Sequence, residues 1–129
     1  IAVNLTANFH LIRALGPWLH KSDAPRTVFV TSGVARHPRA FWGPYQAAKA
    51  GLEAMVLGWA DEQENLSLRA NLFNPGGTRT AMRADAMPGE DPMSIPSADD
   101  VAAELVKLVS KDETRTGQLI NYREVAAAH

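Results

Sequence analysis

The first part of the chain places apolar side chains at helical spacing. Between residues 3 and 20, Leu5, Phe9 and Ile12 recur three or four positions apart, as the buried stripe of an amphipathic helix does. Pro17 should bend or end the last turns, because proline cannot donate the helical hydrogen bond. This segment is therefore predicted to be the first helix.

Three short segments have the composition of strands. Residues 27–31 are β-branched or aromatic throughout, which is typical of a strand buried on both faces. Residues 68–73 are a second candidate, and they stop at the Asn-Pro-Gly-Gly of 74–77, where proline and glycine cannot extend the interior of a sheet. Residues 117–122 are predicted to be the last strand.

Two further helices are indicated. Residues 45–62 contain an apolar stripe that ends in an acidic run. Ser97 precedes a third helix that continues past Val101, and Asp100 three positions after Ser97 fits a capping box. The stripe of the second helix consists of Ala48, Leu52, either Met55 or Val56, and Trp59.

Residues 78–96 mix charged side chains, methionines and three prolines, and are predicted to be an irregular excursion. Residues 125–129 are expected to be a loose tail. The predicted order is helix, strand, helix, strand, loop, helix, strand. This alternation favours an α/β fold, in which about three parallel strands are flanked by helices.

Charge and composition argue against nucleic-acid binding, a membrane span and cysteine-based sites. The 129 residues contain 13 basic and 14 acidic side chains, a net charge of -1, so nucleic acid is not expected to bind. No apolar run approaches the roughly 20 residues of a membrane span, and there is no cysteine for a disulfide or thiolate site. We expect one soluble, cytoplasmic domain. Because the chain opens at Ile1 within a helical pattern, we also expect its start to have been cut or lost.

Polar residues follow two of the predicted strands. Ser32 comes directly after the first strand, Asn-Pro-Gly ends the second, and Tyr45 opens the helix between them. Because the carboxyl ends of parallel strands meet at one edge of a sheet, these residues should converge. Lys49 lies one helical turn after Tyr45. A positive charge beside a phenol favours the phenolate, which could exchange a proton near neutral pH.

Each of these features has an ordinary structural interpretation. A serine after a strand is usually a turn hydroxyl, a Tyr and a Lys at helical spacing are usually a solvated face, and Pro-Gly is usually a turn. In combination, however, Ser32, Tyr45 and Lys49 with the following Asn-Pro-Gly resemble the short-chain dehydrogenase/reductase family. The resemblance implies a partial Rossmann-like fold, the carboxyl-terminal half of a doubly wound sheet, with residues 1–129 forming part of a single domain.

The resemblance also implies roles for individual residues. Ser32 resembles the serine that holds the substrate carbonyl or hydroxyl, and Tyr45 the general acid/base. Lys49 resembles the lysine that favours the phenolate and, with Tyr45, contacts the nicotinamide ribose. Asn4 is similar to the asparagine whose helix holds a proton-relay water.

The loop after the second strand resembles the segment that meets the nicotinamide carboxamide. Pro75, Gly76, Thr78 and Thr80 are the positions that match, and residues 78–96 are similar to the family's substrate loop. The implied cofactor is NAD or NADP, and the implied substrate is a small carbonyl or alcohol. Segments at 21–24, 74–84 and 90–92 are similar to the YciK-type bacterial oxidoreductases.

The family commonly assembles through the helices that contain Asn4 and Tyr45, so a homo-oligomer, a dimer or tetramer, is expected. The second helix favours this expectation, because it offers more apolar surface than packing on one face of the sheet requires. That surface consists of Leu52, Met55, Val56 and Trp59.

The sequence also departs from the family. It contains no Thr-Gly-x-x-x-Gly-x-Gly turn for the pyrophosphate, and the last strand lacks the usual Asp-Gly-Gly. The chain alone is therefore expected to be inactive, and the strand at 27–31 should expose an edge. The alternative from another class is a catalytically silent Rossmann-like scaffold or binding module.

Two other site types are disfavoured by spacing. A serine hydrolase would need glycines at positions 30 and 34 around Ser32, where valines stand. The four histidines, at positions 10, 20, 37 and 129, have no metal-ligand spacing, so no metal is expected. Phe41 and Trp42 could line a substrate pocket, or they could have an ordinary packing role.

Overall fold

The computed structural model describes residues 2–64, 66–78 and 80–127, so Ile1 and His129 lie outside it. Helices and strands alternate along these residues, as the hydrophobic pattern predicted. In chain order the elements are a π-helical turn at Ala2–Thr6, α1 at Ala7–Leu19, β1 at Arg26–Val30, α2 at Gly43–Glu62, β2 at Arg69–Asn74, α3 at Ala81–Ala86, α4 at Ala98–Lys107, β3 at Leu119–Asn121 and α5 at Tyr122–Ala127.

The three strands form one parallel sheet in the order β1-β2-β3. Helices connect the strands, because a parallel pair cannot be joined by a tight turn. The predicted α/β class and the three parallel strands are confirmed. The register runs from Arg26 opposite Arg69 to Val30 opposite Phe73, and from Leu72 opposite Leu119 to Asn74 opposite Asn121.

The core occupies both faces of the sheet. Leu72 and Phe73 are successive residues of β2, so their side chains point to opposite faces, and neither is exposed. Helix α2 covers the face of Leu72, whereas α4 covers the face of Phe73. The first cluster consists of Leu52, Val56 and Leu72, and the second of Phe73, Val101, Leu108 and Ile120.

Two segments differ from the prediction. The segment predicted to be irregular contains α3, because the Thr80 side chain accepts a hydrogen bond from Arg83 N at 3.1 Å and caps that helix. The predicted loose tail begins inside α5, whose Tyr122 and Val125 pack against the second core cluster. In contrast, the predicted cap of α4 is confirmed, with Ser97 Oγ accepting from Asp100 N at 3.2 Å.

The expected apolar surplus on α2 is partly wrong. Leu52 is 1% exposed and Val56 is fully buried, because both pack against the sheet of their own chain. Trp59 is also engaged, with its ring edge-on to Phe29 at 6.3 Å between centroids. Leu52 and Val56 are therefore not available to a second subunit, contrary to what the hydrophobic pattern alone suggested.

One edge of the sheet is open within the described part of the chain, where β1 pairs only with β2. A cavity of about 550 Å³ lies beside this edge, between β1 and α1. Leu11 and Leu15 of α1 line it and are each about half exposed. None of the described helices is long and apolar enough to cross a membrane.

Candidate active site

The carboxyl ends of β1 and β2 bring the predicted site residues together. The sheet continues one residue beyond β1, since Thr31 N donates to Phe73 O at 2.9 Å. Ser32 follows at once. The loops after the two strands are close neighbours, because a Cβ added to Gly33 would lie 3.8 Å from Asn74 Nδ2.

Ser32 lies at the start of a short 3-10 turn, Gly33–Ala35. Its Oγ accepts a hydrogen bond from Val34 N at 3.4 Å. The bond uses the hydroxyl only as an acceptor, so the hydroxyl proton is available for a neighbouring oxygen. This geometry fits both the turn-capping interpretation and the substrate-holding interpretation of Ser32.

Tyr45 stands in the first turn of α2 and is 39% exposed. The Trp42 ring contacts it edge-on, with 5.8 Å between centroids, so Trp42 packs against the phenol. Phe41 is fully exposed and has a φ of 69°, a left-handed conformation that is uncommon for a residue with a Cβ. The two aromatic residues before Tyr45 therefore differ in their surroundings.

Lys49 is buried beneath the same helix, with only 8% of its surface exposed. Its Nζ donates to Val30 O at 3.0 Å and lies 5.8 Å from the centroid of the Tyr45 ring. Burial lowers the pKa of Lys49 below its usual range, because desolvation disfavours the charged form. The amino group of Lys49 is thus fixed between the end of β1 and the ring of Tyr45.

Asn4 belongs to the π-helical turn that precedes α1. Its backbone oxygen accepts a hydrogen bond from Asn8 Nδ2 at 2.9 Å. Asn4, Asn8 and Lys49 all line the cavity beside β1. The structure therefore places Asn4 and Lys49 along the same open cavity beside β1.

The loop after β2 is shaped by Gly76, whose φ of +68° is readily adopted only by glycine. Asn74 Oδ1 accepts from Gly76 N at 3.0 Å, and Thr78 Oγ1 donates to Gly76 O at 3.3 Å. Pro75 leads into this turn, and the Thr80 side chain caps α3 at the end of the loop. Arg79 lies outside the described residues.

One buried charge in this region was not predicted from the sequence. Glu53 of α2 is 6% exposed, and its carboxylate accepts from Thr31 Oγ1 at 2.6 Å and from Arg36 Nε at 2.9 Å. A signal was present, because Glu53 falls one turn after Lys49 on the buried side of α2. Among the described residues, no group of three or more metal-binding side chains could hold an ion.

Residues 1–91 match the family described as short chain dehydrogenase. This segment contains Ser32, Tyr45, Lys49 and the loop after β2. The chain belongs to the short-chain dehydrogenase family. The resemblance expected from the motifs is therefore confirmed for the family as a whole.

Individual short-chain dehydrogenases are also similar to the chain. The uncharacterized oxidoreductase YciK of Escherichia coli K12 is 47% identical over 113 residues, which are 88% of this chain and 44% of that protein. A short chain dehydrogenase of E. coli CFT073, crystallised with NADPH, superposes with a TM-score of 0.82 at 45% identity, covering 92% of this chain and 50% of that one.

A more distant relative, the benzil reductase of Bacillus subtilis 168, is 28% identical over 139 residues, covering 95% of this chain and 57% of that protein. The chain thus spans about half the length of the relatives it matches. The similarity to YciK agrees with the subgroup that the segments at 21–24, 74–84 and 90–92 indicated.

Proposed function

We propose that the protein containing this chain transfers a hydride reversibly between a nicotinamide cofactor, NAD or NADP, and a small carbonyl or alcohol. One observation supports this most directly: Lys49 is buried between Val30 O and the ring of Tyr45. A positive charge held beside the Tyr45 ring could stabilise negative charge that develops there during proton exchange. The arrangement is suited to a proton exchange that accompanies hydride transfer.

Each of the proposed site residues has a different role in the reaction. Tyr45 gives a proton to the substrate oxygen during reduction and takes it back during oxidation. Ser32 holds that oxygen through its hydroxyl proton, and Lys49 stabilises the charge that develops on Tyr45. The helical turn that contains Asn4 would hold the water from which Tyr45 is reprotonated.

The cofactor supplies the hydride when it is bound. Its nicotinamide end would lie on the loop after β2, at Pro75, Gly76, Thr78 and Thr80, with Lys49 and Tyr45 at the ribose. The loop is suitable, because a Cβ added to Gly76 would meet no atom within 4 Å, so a flat ring can approach the backbone. The NADPH in the similar E. coli structure supports NADPH as the first cofactor to test.

We further propose that residues 1–129 form the carboxyl-terminal part of one Rossmann-type domain in a cytoplasmic protein. The open edge of β1 supports this proposal, because a further parallel strand could pair there. Such a strand would also cover Leu11 and Leu15 beside the cavity. The segment 78–96, with α3 at its start, would then close over the substrate.

The test is a Tyr45→Phe variant of the complete protein, assayed with NADPH and with benzil, the substrate named for a relative. The variant keeps the ring and loses the exchangeable proton, so kcat should fall about 10²–10⁴-fold. Tyr122→Phe is the matched control for removal of a phenol hydroxyl, because Tyr122 packs against the second core cluster and is not among the proposed site residues. Near-normal turnover by Tyr45→Phe, or no turnover of any carbonyl by the unaltered protein, would favour the silent scaffold instead.

A further inference from the structure

The carboxylate of Glu53 connects two points on either side of Ser32. Its Oε2 accepts from the hydroxyl of Thr31, which immediately precedes Ser32, at 2.6 Å. Its Oε1 accepts from Nε of Arg36, four residues after Ser32, at 2.9 Å. The segment that contains the serine is therefore held at both ends by one side chain of α2.

Burying the Glu53 carboxylate is unfavourable in free energy. Glu53 is 6% exposed and Thr31 is 3% exposed, and desolvating a charged group without partners is strongly unfavourable. Two charge-assisted hydrogen bonds offset that cost. An apolar side chain at this position would stabilise the core at least as well. What Glu53 adds is therefore the fixed geometry of the segment that contains Ser32.

The same helix also contains the proposed acid/base. Glu53 follows Tyr45 by eight residues on α2, and Lys49 lies midway between them. Lys49 fixes Val30 through its backbone oxygen at 3.0 Å. Consequently α2 holds residues 30, 31 and 36 while it presents Tyr45, and the position of Ser32 relative to the phenol is set by one rigid element.

We propose that Glu53 is a positioning residue that fixes Ser32 against Tyr45 through Thr31 and Arg36. This inference rests on the proposed function of Ser32 and Tyr45. Glu53 contacts neither substrate nor cofactor in this role. Loosening its contacts should displace the Ser32 hydroxyl from the substrate oxygen while the cofactor-binding loop after β2 is unaffected.

The experiment compares Thr31→Val with Thr31→Ser in the complete protein, using NADPH and benzil. Valine has nearly the shape of threonine but cannot donate to Glu53, so kcat should fall roughly tenfold, since misplacement of a reacting group by about 1 Å is costly. Serine retains the donor and should recover most of the activity. The Kd for NADPH should be the same in both variants.

A Ser32→Ala background separates positioning from general stability. If Glu53 acts through Ser32, Thr31→Val should cause less than about a twofold further loss in that background. A merely structural role would instead lower activity by the same factor with or without the Ser32 hydroxyl, and that result would overturn the proposal. Full activity in Thr31→Val would also overturn it.

Glu113→Gln provides a matched control for the Glu53→Gln variant. Glu113 is 8% exposed and accepts from Arg115 Nε at 2.7 Å. It precedes β3 and therefore lies toward the amino-terminal ends of the strands, whereas the site lies at their carboxyl ends. Both variants should lower the melting temperature. Only Glu53→Gln should lower the kcat of the folded protein, and an equal effect of the two on kcat would contradict the proposal.

If the protein does not reduce benzil, a comparison of crystal structures tests the positioning role of Glu53. Crystal structures of the unaltered protein and of Thr31→Val should show a shift of Ser32 relative to Tyr45, and an unchanged separation would overturn the inference. Failure of the proposed function is recognised separately, because it would leave Tyr45→Phe without effect on turnover.

Discussion

Asn74 Nδ2 donates to Asn121 Oδ1 over 3.0 Å, and this hydrogen bond joins the carboxyl ends of β2 and β3 through their side chains. The other end of the same amide, Asn74 Oδ1, accepts from Gly76 N at 3.0 Å. Asn74 therefore connects the end of β3 with the turn after β2. The last strand supports the proposed nicotinamide loop even though it lacks the family's usual Asp-Gly-Gly.

Asn121→Ala should destabilise the protein by about 1–2 kcal/mol, because it leaves the half-buried Asn74 amide without this acceptor. We also expect weaker NADPH binding, since the turn at Gly76 loses support. Asn121→Asp keeps the acceptor oxygen and is the control. Urea unfolding and fluorescence titration of the complete protein measure the two effects, and equal stability of the alanine and aspartate variants would contradict the prediction.

Stability should depend on Glu113 at acidic pH. The hydrogen bonds from Arg115 lower the pKa of this carboxyl below its ordinary 4.5. Because the pKa is lower in the folded state, the stabilisation is present above about pH 4.5 and is lost as the pH falls through the folded value. Glu113→Gln should therefore flatten the fall in unfolding free energy on acidification. An unchanged slope in urea titrations below pH 4.5 would exclude this role.

The 129-residue chain alone should bind NADH and NADPH only weakly. Residues that could contact the nicotinamide end are present, but the sequence contains no glycine-rich turn for the pyrophosphate, and each 1.4 kcal/mol of lost binding energy is about tenfold in affinity. Calorimetric titration of the purified chain, with the complete protein as the positive control, measures this. Micromolar binding by the chain would show that the affinity has another source.

The complete protein should sediment as a dimer or tetramer. Leu52 and Val56 are buried in the chain's own core, but Phe9 on α1 is about half exposed and Met55 on α2 is partly exposed. These two helices are the ones that the family resemblance implies for assembly. Analytical ultracentrifugation over a range of concentrations tests the expectation, and a monomer throughout would exclude it.

The sequence predicted the parts of the fold that depend on local composition. Residues 27–31 are β-branched or aromatic, and β1 forms at Arg26–Val30. Ser32 and Tyr45 could be assigned to one edge because parallel strands end there together. In contrast, α3 was missed because its capping residue, Thr80, stands in a segment rich in charges and prolines.

The contacts of the buried charges could not be predicted, because they depend on tertiary structure. An acidic residue such as Glu53 in an amphipathic helix is usually solvent-exposed. Its position one turn after Lys49 indicates the buried side of α2, but only the tertiary fold brings its partners Thr31 and Arg36 opposite it. The same holds for Lys49, whose partner is a backbone oxygen of β1.

The parallel order of the strands also has a consequence for folding kinetics. Hydrogen bonds between β1 and β2 join residues as far apart as Thr27 and Arg69, separated by 42 positions, and Asn74 and Asn121 are separated by 47. Such contacts form only after long loops have closed, and topologies of high contact order fold slowly. We therefore expect the helices to form well before the sheet, with pairing of the three strands as the slow step in refolding.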